Sequence, residues 1–221
     1  MSEHEFEPVR GLPETLPSGE RLLWQGSPRW QSLAVGAFHA RKVGLYFLAL
    51  IALDAGASVA AGRAAGPVVA AAAWLAVLAA GAVGLLALLA WLTARSTVYT
   101  LTTRRIVMRF GVALPMTINL PYAVIESASL RERRDGSADI PVALSRGSRV
   151  GYLITWPHVR PWQFARPQPM LRAVPDGRHV AGLLADALGA ATVATAAQGS
   201  AAAAPVATAA PSASPGLTAA A

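Results

Sequence analysis

From residue 43 to residue 94 the chain reads VGLYFLALIALDAGASVAAGRAAGPVVAAAAWLAVLAAGAVGLLALLAWLTA, with Asp54 and Arg63 as its only charged side chains. Roughly 20 helical residues, rising about 1.5 Å each, cross a hydrocarbon core about 30 Å thick. The run is too long for one membrane helix and suits two. Gly62-Arg63-Ala64-Ala65-Gly66-Pro67 supplies the break, its proline fitted to the first turn of a second helix. The spacing predicts a transmembrane hairpin with spans at about 43–61 and 67–92. Arg41 and Lys42 precede the first span, and Arg95, Arg104, Arg105 and Arg109 follow the second. Only Arg63 lies between them, so the positive-inside rule puts both termini of a multi-pass membrane protein in the cytoplasm.

An acid within a span is costly and by default a candidate site. Asp54, past the middle of the first span, is read either as a partner contact or as a solvated or internally bonded acid among Gly56, Ser58 and other small residues. Ala80, Gly81 and Gly84 in the second span permit close helix approach, which leaves a homo-oligomer open.

Composition narrows the chemistry. Charged residues make up 14% of the chain, against about 25% in an average soluble domain. With no cysteine, disulfides, thiolate catalysis and cysteine-ligated metals are excluded. His4, His39, His158 and His179 are scattered without the spacing of a metal pair, and no cofactor or metal is expected. The first twenty residues are acidic and proline-rich and lack the pattern of a signal peptide. Residues 22–26 read as a short strand or an interfacial contact, and residues 31–43 as a helical lead-in with Trp30 at headgroup level, or a plain connector.

From Ser96 the period changes to two. Alternation marks strands at 96–102, 106–110, 114–120, 125–131, 140–144 and 150–156, with 170–174 as a seventh. Turns are expected at Thr103-Arg104, Gly111, Asp135-Gly136 and Arg146-Gly147. Asp176 is placed to cap a helix whose apolar stripe is Val180, Leu183, Leu184, Ala187 and Leu188, with Gly189 to end it. Residues 190–221 are almost all Ala, Thr, Ser, Pro and Gly and read as a disordered tail. The expected order is a cytoplasmic N-terminal segment (1–30), a lead-in and hairpin (31–94), a β domain (95–189) and the tail. Seven short antiparallel strands closed by one amphipathic helix is the order of a cytoplasmic pleckstrin-homology-like barrel.

Tyr99-Thr100-Leu101-Thr102-Thr103-Arg104-Arg105-Ile106-Val107 with Gly111 resembles the start of bacterial pleckstrin-homology domains that sit behind a membrane hairpin. Gly11-Leu12-Pro13-Glu14, Leu16-Pro17-Ser18-Gly19-Glu20-Arg21, Leu23-Trp24-Gln25-Gly26, residues 166–172 and Pro175-Asp176-Gly177 are similar to photosynthetic complex assembly proteins of the PuhB type. That resemblance implies a non-catalytic assembly factor in a purple phototrophic bacterium. Its implied partners are reaction-centre and core antenna subunits or other assembly factors. The residues offer no phosphate loop and no nucleophile or acid-pair constellation, so no enzyme is expected. The thirteen arginines after residue 94 carry no nucleic-acid motif. Arg104, Arg105, Arg109, Arg131, Arg133, Arg134, Arg146 and Arg149 remain as a surface for anionic lipid or a protein partner, or as ordinary positive-inside bias on solvated strands.

Overall fold

The computed structural model describes residues 11–12, 15–148 and 150–202. Strand β1 (Leu22–Gly26) leads into a short helix α1 (Trp30–Gly36), and two long helices follow, α2 (Ala40–Ala60) and α3 (Ala65–Ser96). Both are long and apolar enough to cross a membrane. They run antiparallel, Gly44 lying beside Val83. The turn between them is closed by Gly62 at a φ of 67° and by Arg63, whose amide and guanidinium both bond back to Ser58. Pro67 falls in the first turn of α3, where its missing N–H costs nothing.

The barrel follows with a single residue, Thr97, between α3 and β2 (Val98–Thr102). β3 (Arg105–Phe110) and β4 (Met116–Pro121) continue the meander, and β1 adds to the free edge of β2, giving the order β1-β2-β3-β4. After a 3-10 turn, β5 (Ile125–Ala128) and β6 (Arg131–Glu132) form two halves of one strand interrupted at Ser129 and Leu130. β7 (Ala138–Leu144) pairs antiparallel with both halves, and β8 (Met170–Val174) pairs with β7. Ala138 faces Glu132 and Val174 at once, so these neighbours lie on opposite edges of β7. Tyr99, Leu101, Ile106, Met108, Ile140, Val142 and Leu171 fill the space between the two sheets. Helix α5 (Gly177–Ala202) closes it with Val180, Leu184 and Ala187, as the stripe predicts. Asp176 stands at the start of this helix, and its carbonyl accepts the amides of His179 and Val180.

The structure departs from the sequence-based expectation at four places. Residues 150–156 form no strand; a single turn, α4 (Tyr152–Thr155), takes their place, tied by Thr155 Oγ1 donating to Gly151 O at 2.7 Å. The alternation there has no buried face, since Leu153 is 86% and Ile154 60% exposed, and β8 holds the edge of β7. The N-terminal segment is not separate: β1 adds a strand to the barrel, and Glu20, its side chain 2% exposed, forks onto Arg105 at 2.9 and 3.1 Å. Helix α5 passes through Gly189, where nothing demands a left-handed residue, and Thr192 bonds back to Leu188 and Gly189. Its alanines favour helix, so residues 190–202 are helical where a disordered tail is expected; the rest of that tail, 203–221, and residues 1–10 lie outside the described residues. Finally, β2, β8 and the first five residues of β7 are buried on both faces rather than half-buried.

The second burial is the work of α1. The last turns of α3 run beyond the start of α2 and pack against α1, where Leu33, Ala34, Ala37 and Ala40 meet Ala90, Ala94 and Ala173 of β8. Alanines on both sides let the backbones approach closely. Leu33 is completely buried there. Leu33→Ala is therefore expected to cost about 2–4 kcal/mol, read as a fall in the thermal midpoint of the detergent-solubilised chain; an unchanged midpoint would mean that α1 is not docked.

Candidate functional site at the foot of the helical pair

Where α3 meets the barrel, a chain of polar groups joins α3, β2 and β8 through the loop after α4. Thr97 Oγ1 donates to Thr93 O at 2.7 Å, and Arg172 N donates to Tyr99 Oη at 3.1 Å. With its oxygen accepting there, the Tyr99 hydroxyl donates to His158 Nδ1 at 2.6 Å. The proton of His158 is thereby assigned to Nε2, which donates to Thr97 Oγ1 at 3.2 Å. Burial holds the imidazole neutral, with its pKa down at about 3, and the charge of Arg172 acts in the same direction. Burial likewise raises the Tyr99 hydroxyl above its ordinary range. Both ring nitrogens are engaged, so His158 is a structural joint rather than a base awaiting substrate.

A second network fastens α1 to the turn between β6 and β7. Arg29 donates to Asp135 O at 2.8 Å, Ser32 Oγ donates to the Asp135 carboxylate, and Arg29 N donates to Ala173 O at 2.8 Å. Burial raises the Asp135 carboxyl, but hydrogen bonds from Ser32 and Ser137 and the charge of Arg29 outweigh it and hold the group at about 2. Arg133 grips Asp139 at 2.6 Å and reaches Ser32 O at 3.3 Å. Asp139 also accepts Ala173 N at 2.9 Å. Arg172, 7% exposed, donates to Pro157 O at 2.8 Å and to Gly36 O at 3.3 Å, while its Nε has no partner among the described residues.

Between these networks lies a groove of about 1050 Å³, running from the first turn of α2 to the loop after α4. Lys42, Arg131, Arg134 and Arg160 line it together with Trp156, Trp162 and Phe164. Trp156 meets Phe38 edge to face, with ring centroids 5.5 Å apart. The acids of the groove are already engaged: Asp139 by Arg133, and Glu132 by Arg178 at 2.9 Å. Among the described residues no carboxylate pairs with Lys42, Arg131, Arg134 or Arg160.

The arginines singled out from the sequence do not form one surface. Arg104 and Arg105 stand at the far end of β2 from α3, Arg104 exposed and Arg105 held by Glu20. Arg109, half-buried, sits opposite Val98 beside the end of α3. Arg131, Arg133 and Arg134 gather at the groove, and Arg133 is structural. Arg146 is exposed in its turn, and Arg149 lies outside the described residues. Asp54 is half-buried on α2, with no hydrogen bond or ion pair among the described residues. Ala80, Gly81 and Gly84 face outward from α3, away from α2. Sequence reasoning missed Lys42, Arg160, Arg172 and Trp162 as members of one site. The only signal was the interleaving of aromatic and basic residues over 156–166.

Two predictions follow from the networks. His158 has a folded-state pKa below its unfolded value of 6.5, so the unfolded chain takes the proton first. Its contribution is intact above pH about 6.5 and is lost as pH falls toward about 3, with a slope of up to about 1.4 kcal/mol per pH unit. Thermal melts of the solubilised chain from pH 7 to 4 should show this slope, and His158→Phe should flatten it. Asp139→Asn leaves the Arg133–Arg172 cluster without its counter-charge and is expected to cost about 3–5 kcal/mol; a midpoint within one degree of wild type would contradict that role.

Residues 43–188 match the bacterial PH domain family, a match that begins in α2 and ends in α5 and so takes in hairpin and barrel together. The chain is also similar to a protein of Rhodobacter capsulatus described as an uncharacterized 23.7 kDa protein in the puhA 5′ region. The two are 39% identical over 197 residues, which cover 85% of this chain and 89% of that one. No solved structure matches. The puhA neighbourhood of that relative agrees with the PuhB-type resemblance carried by the N-terminal and 166–172 motifs. On the family match and the relative together, the chain belongs to the bacterial PH domain family.

Proposed function

We propose that this protein is a non-catalytic membrane assembly factor for the photosynthetic reaction centre and its core antenna. The observation that carries the reading is the relative in the puhA 5′ region, similar over hairpin and barrel alike. In this reading α2 and α3 span the inner or intracytoplasmic membrane with both termini in the cytoplasm, as the charge bias asks. The barrel then stands where new subunits insert. Subunits or other assembly factors are bound through the helical pair and the exposed loops of the barrel. A binding role suits the groove: among the described residues its charges without a counter-ion are those of Lys42, Arg131, Arg134 and Arg160, and His158 nearby is locked at both nitrogens.

Deleting the gene in a phototrophic host is expected to lower reaction-centre and core antenna absorbance, with pigment synthesis retained. Unchanged levels would sink the assembly role. Asp54→Asn in the same host separates a partner contact within the membrane from simple anchoring, since a half-buried acid without a partner among the described residues is free to meet one. The cysteine-free chain makes topology direct to measure. Gly62→Cys should react with an impermeant maleimide in spheroplasts, and Arg146→Cys only after lysis; the reverse pattern would invert the orientation.

A further inference from the structure

The groove at the foot of α2 holds more positive charge than the fold uses. Arg133 and Arg172 serve the packing of α1, but Lys42, Arg131, Arg134 and Arg160 converge on the same space without a carboxylate among the described residues. Arg172, more than nine-tenths buried, also lines the groove, and its Nε–H has no acceptor among the described residues. A buried donor without an acceptor is a rare and costly feature. The rim is as unusual as the floor. Trp162 is 84% and Phe164 61% exposed, and Trp162 is held at a φ of 66°, a conformation aromatic residues seldom adopt. Backbone strain of this kind concentrates at binding sites.

We propose that this groove binds the phosphate headgroup of an anionic membrane lipid. Lys42, Arg131, Arg134 and Arg160 receive the phosphate, and Trp162 and Phe164 lie among the glycerol and upper chain atoms. The position of the groove argues for a lipid as the source of the phosphate. Lys42 is in the first turn of α2, and the apolar run starts at the next residue, so the groove opens at headgroup level. Aromatic side chains collect at that level of a bilayer, whereas a free phosphate ion gives an exposed tryptophan nothing to cover. The inference rests on the membrane placement proposed above, not on the photosynthetic role.

The test uses the full-length chain in mild detergent, titrated with short-chain phosphatidylglycerol, short-chain phosphatidylcholine or inorganic phosphate, with thermal midpoint and tryptophan fluorescence as readouts. Phosphatidylglycerol is expected to raise the midpoint by several degrees and the other two to leave it unmoved. Exchanging Arg131, Arg134 and Arg160 for Gln together should weaken the phosphatidylglycerol response about tenfold or more, while Arg104→Gln and Arg146→Gln leave it unchanged. If circular dichroism shows that the triple variant has unfolded, Arg160→Gln alone replaces it, because the Arg160 side chain bonds only to Gln168 among the described residues. An equal response to phosphatidylcholine, or equal weakening by the Arg104 and Arg146 controls, overturns the site in favour of diffuse charge. A shift reproduced by inorganic phosphate overturns the lipid in favour of a soluble anion, and no shift with any probe leaves the groove to an acidic protein partner. Alkaline carbonate extraction of membranes is read separately. Loss of integration sinks the membrane placement and the lipid site together, whereas integration with no phosphatidylglycerol response sinks the site alone.

Discussion

His158 is sealed from solvent, and the groups that satisfy its two nitrogens come from separate elements: Thr97 at the end of α3 and Tyr99 in β2. Tyr99 in turn receives the amide of Arg172 in β8. Moving α3 against the barrel by even an ångström would leave buried donors and acceptors unpaired, at about 1–3 kcal/mol each. A single residue joins α3 to β2, so chain connectivity and hydrogen bonding impose the same geometry. The long helix and the barrel therefore behave as one body. Whatever biases the tilt of the hairpin in a bilayer is transmitted to the strands and loops that face the cytoplasm in the proposed topology.

Much of this architecture is visible in the one-dimensional pattern, because the forces that build it are local or periodic. The charge gap marks α2 and α3, the period of two marks β3, β4 and β7, and the stripe from Val180 to Leu188 marks the buried face of α5. What the pattern hides depends on partners distant in sequence. Residues 22–26 look like a strand or a membrane contact until β2 offers a free edge. Residues 150–156 alternate as a strand does, yet that edge of the sheet belongs to β8. The ending of α5 is missed for a different reason. Gly189 stops a helix only when the chain must turn there, and in an exposed alanine-rich stretch nothing makes it turn.

The arginines show the same division more sharply. Their number is plain from the sequence, and their destinations are not. Arg105 and Arg133 look like their neighbours Arg104 and Arg134, but Glu20 and Asp139 claim one of each pair. The claiming acids lie 85 and 6 residues away, and only the second spacing lies within reach of a local pattern. Arg172 is further hidden because it belongs to a strand buried on both faces, where an apolar residue is the usual expectation. Its charge is tolerated because Asp139 lies close and two carbonyls accept its N–H groups.

The unequal length of the two long helices explains why a groove exists at all. α3 has 32 residues and α2 has 21. The eleven extra residues of α3 amount to about 16 Å of rise. Since β2 continues directly from the longer helix, the barrel is carried beyond the foot of the shorter one, and a ledge is left there. α1 fills most of that ledge with small side chains, and the aromatic loop after α4 closes part of the rest. The remainder is the cavity lined by Lys42, Arg131, Arg134 and Arg160. With helices of equal length the barrel would sit flush against the foot of α2 and no ledge would remain. The mismatch gathers them along one groove beside the first turn of α2, where their charges add and no carboxylate among the described residues cancels them.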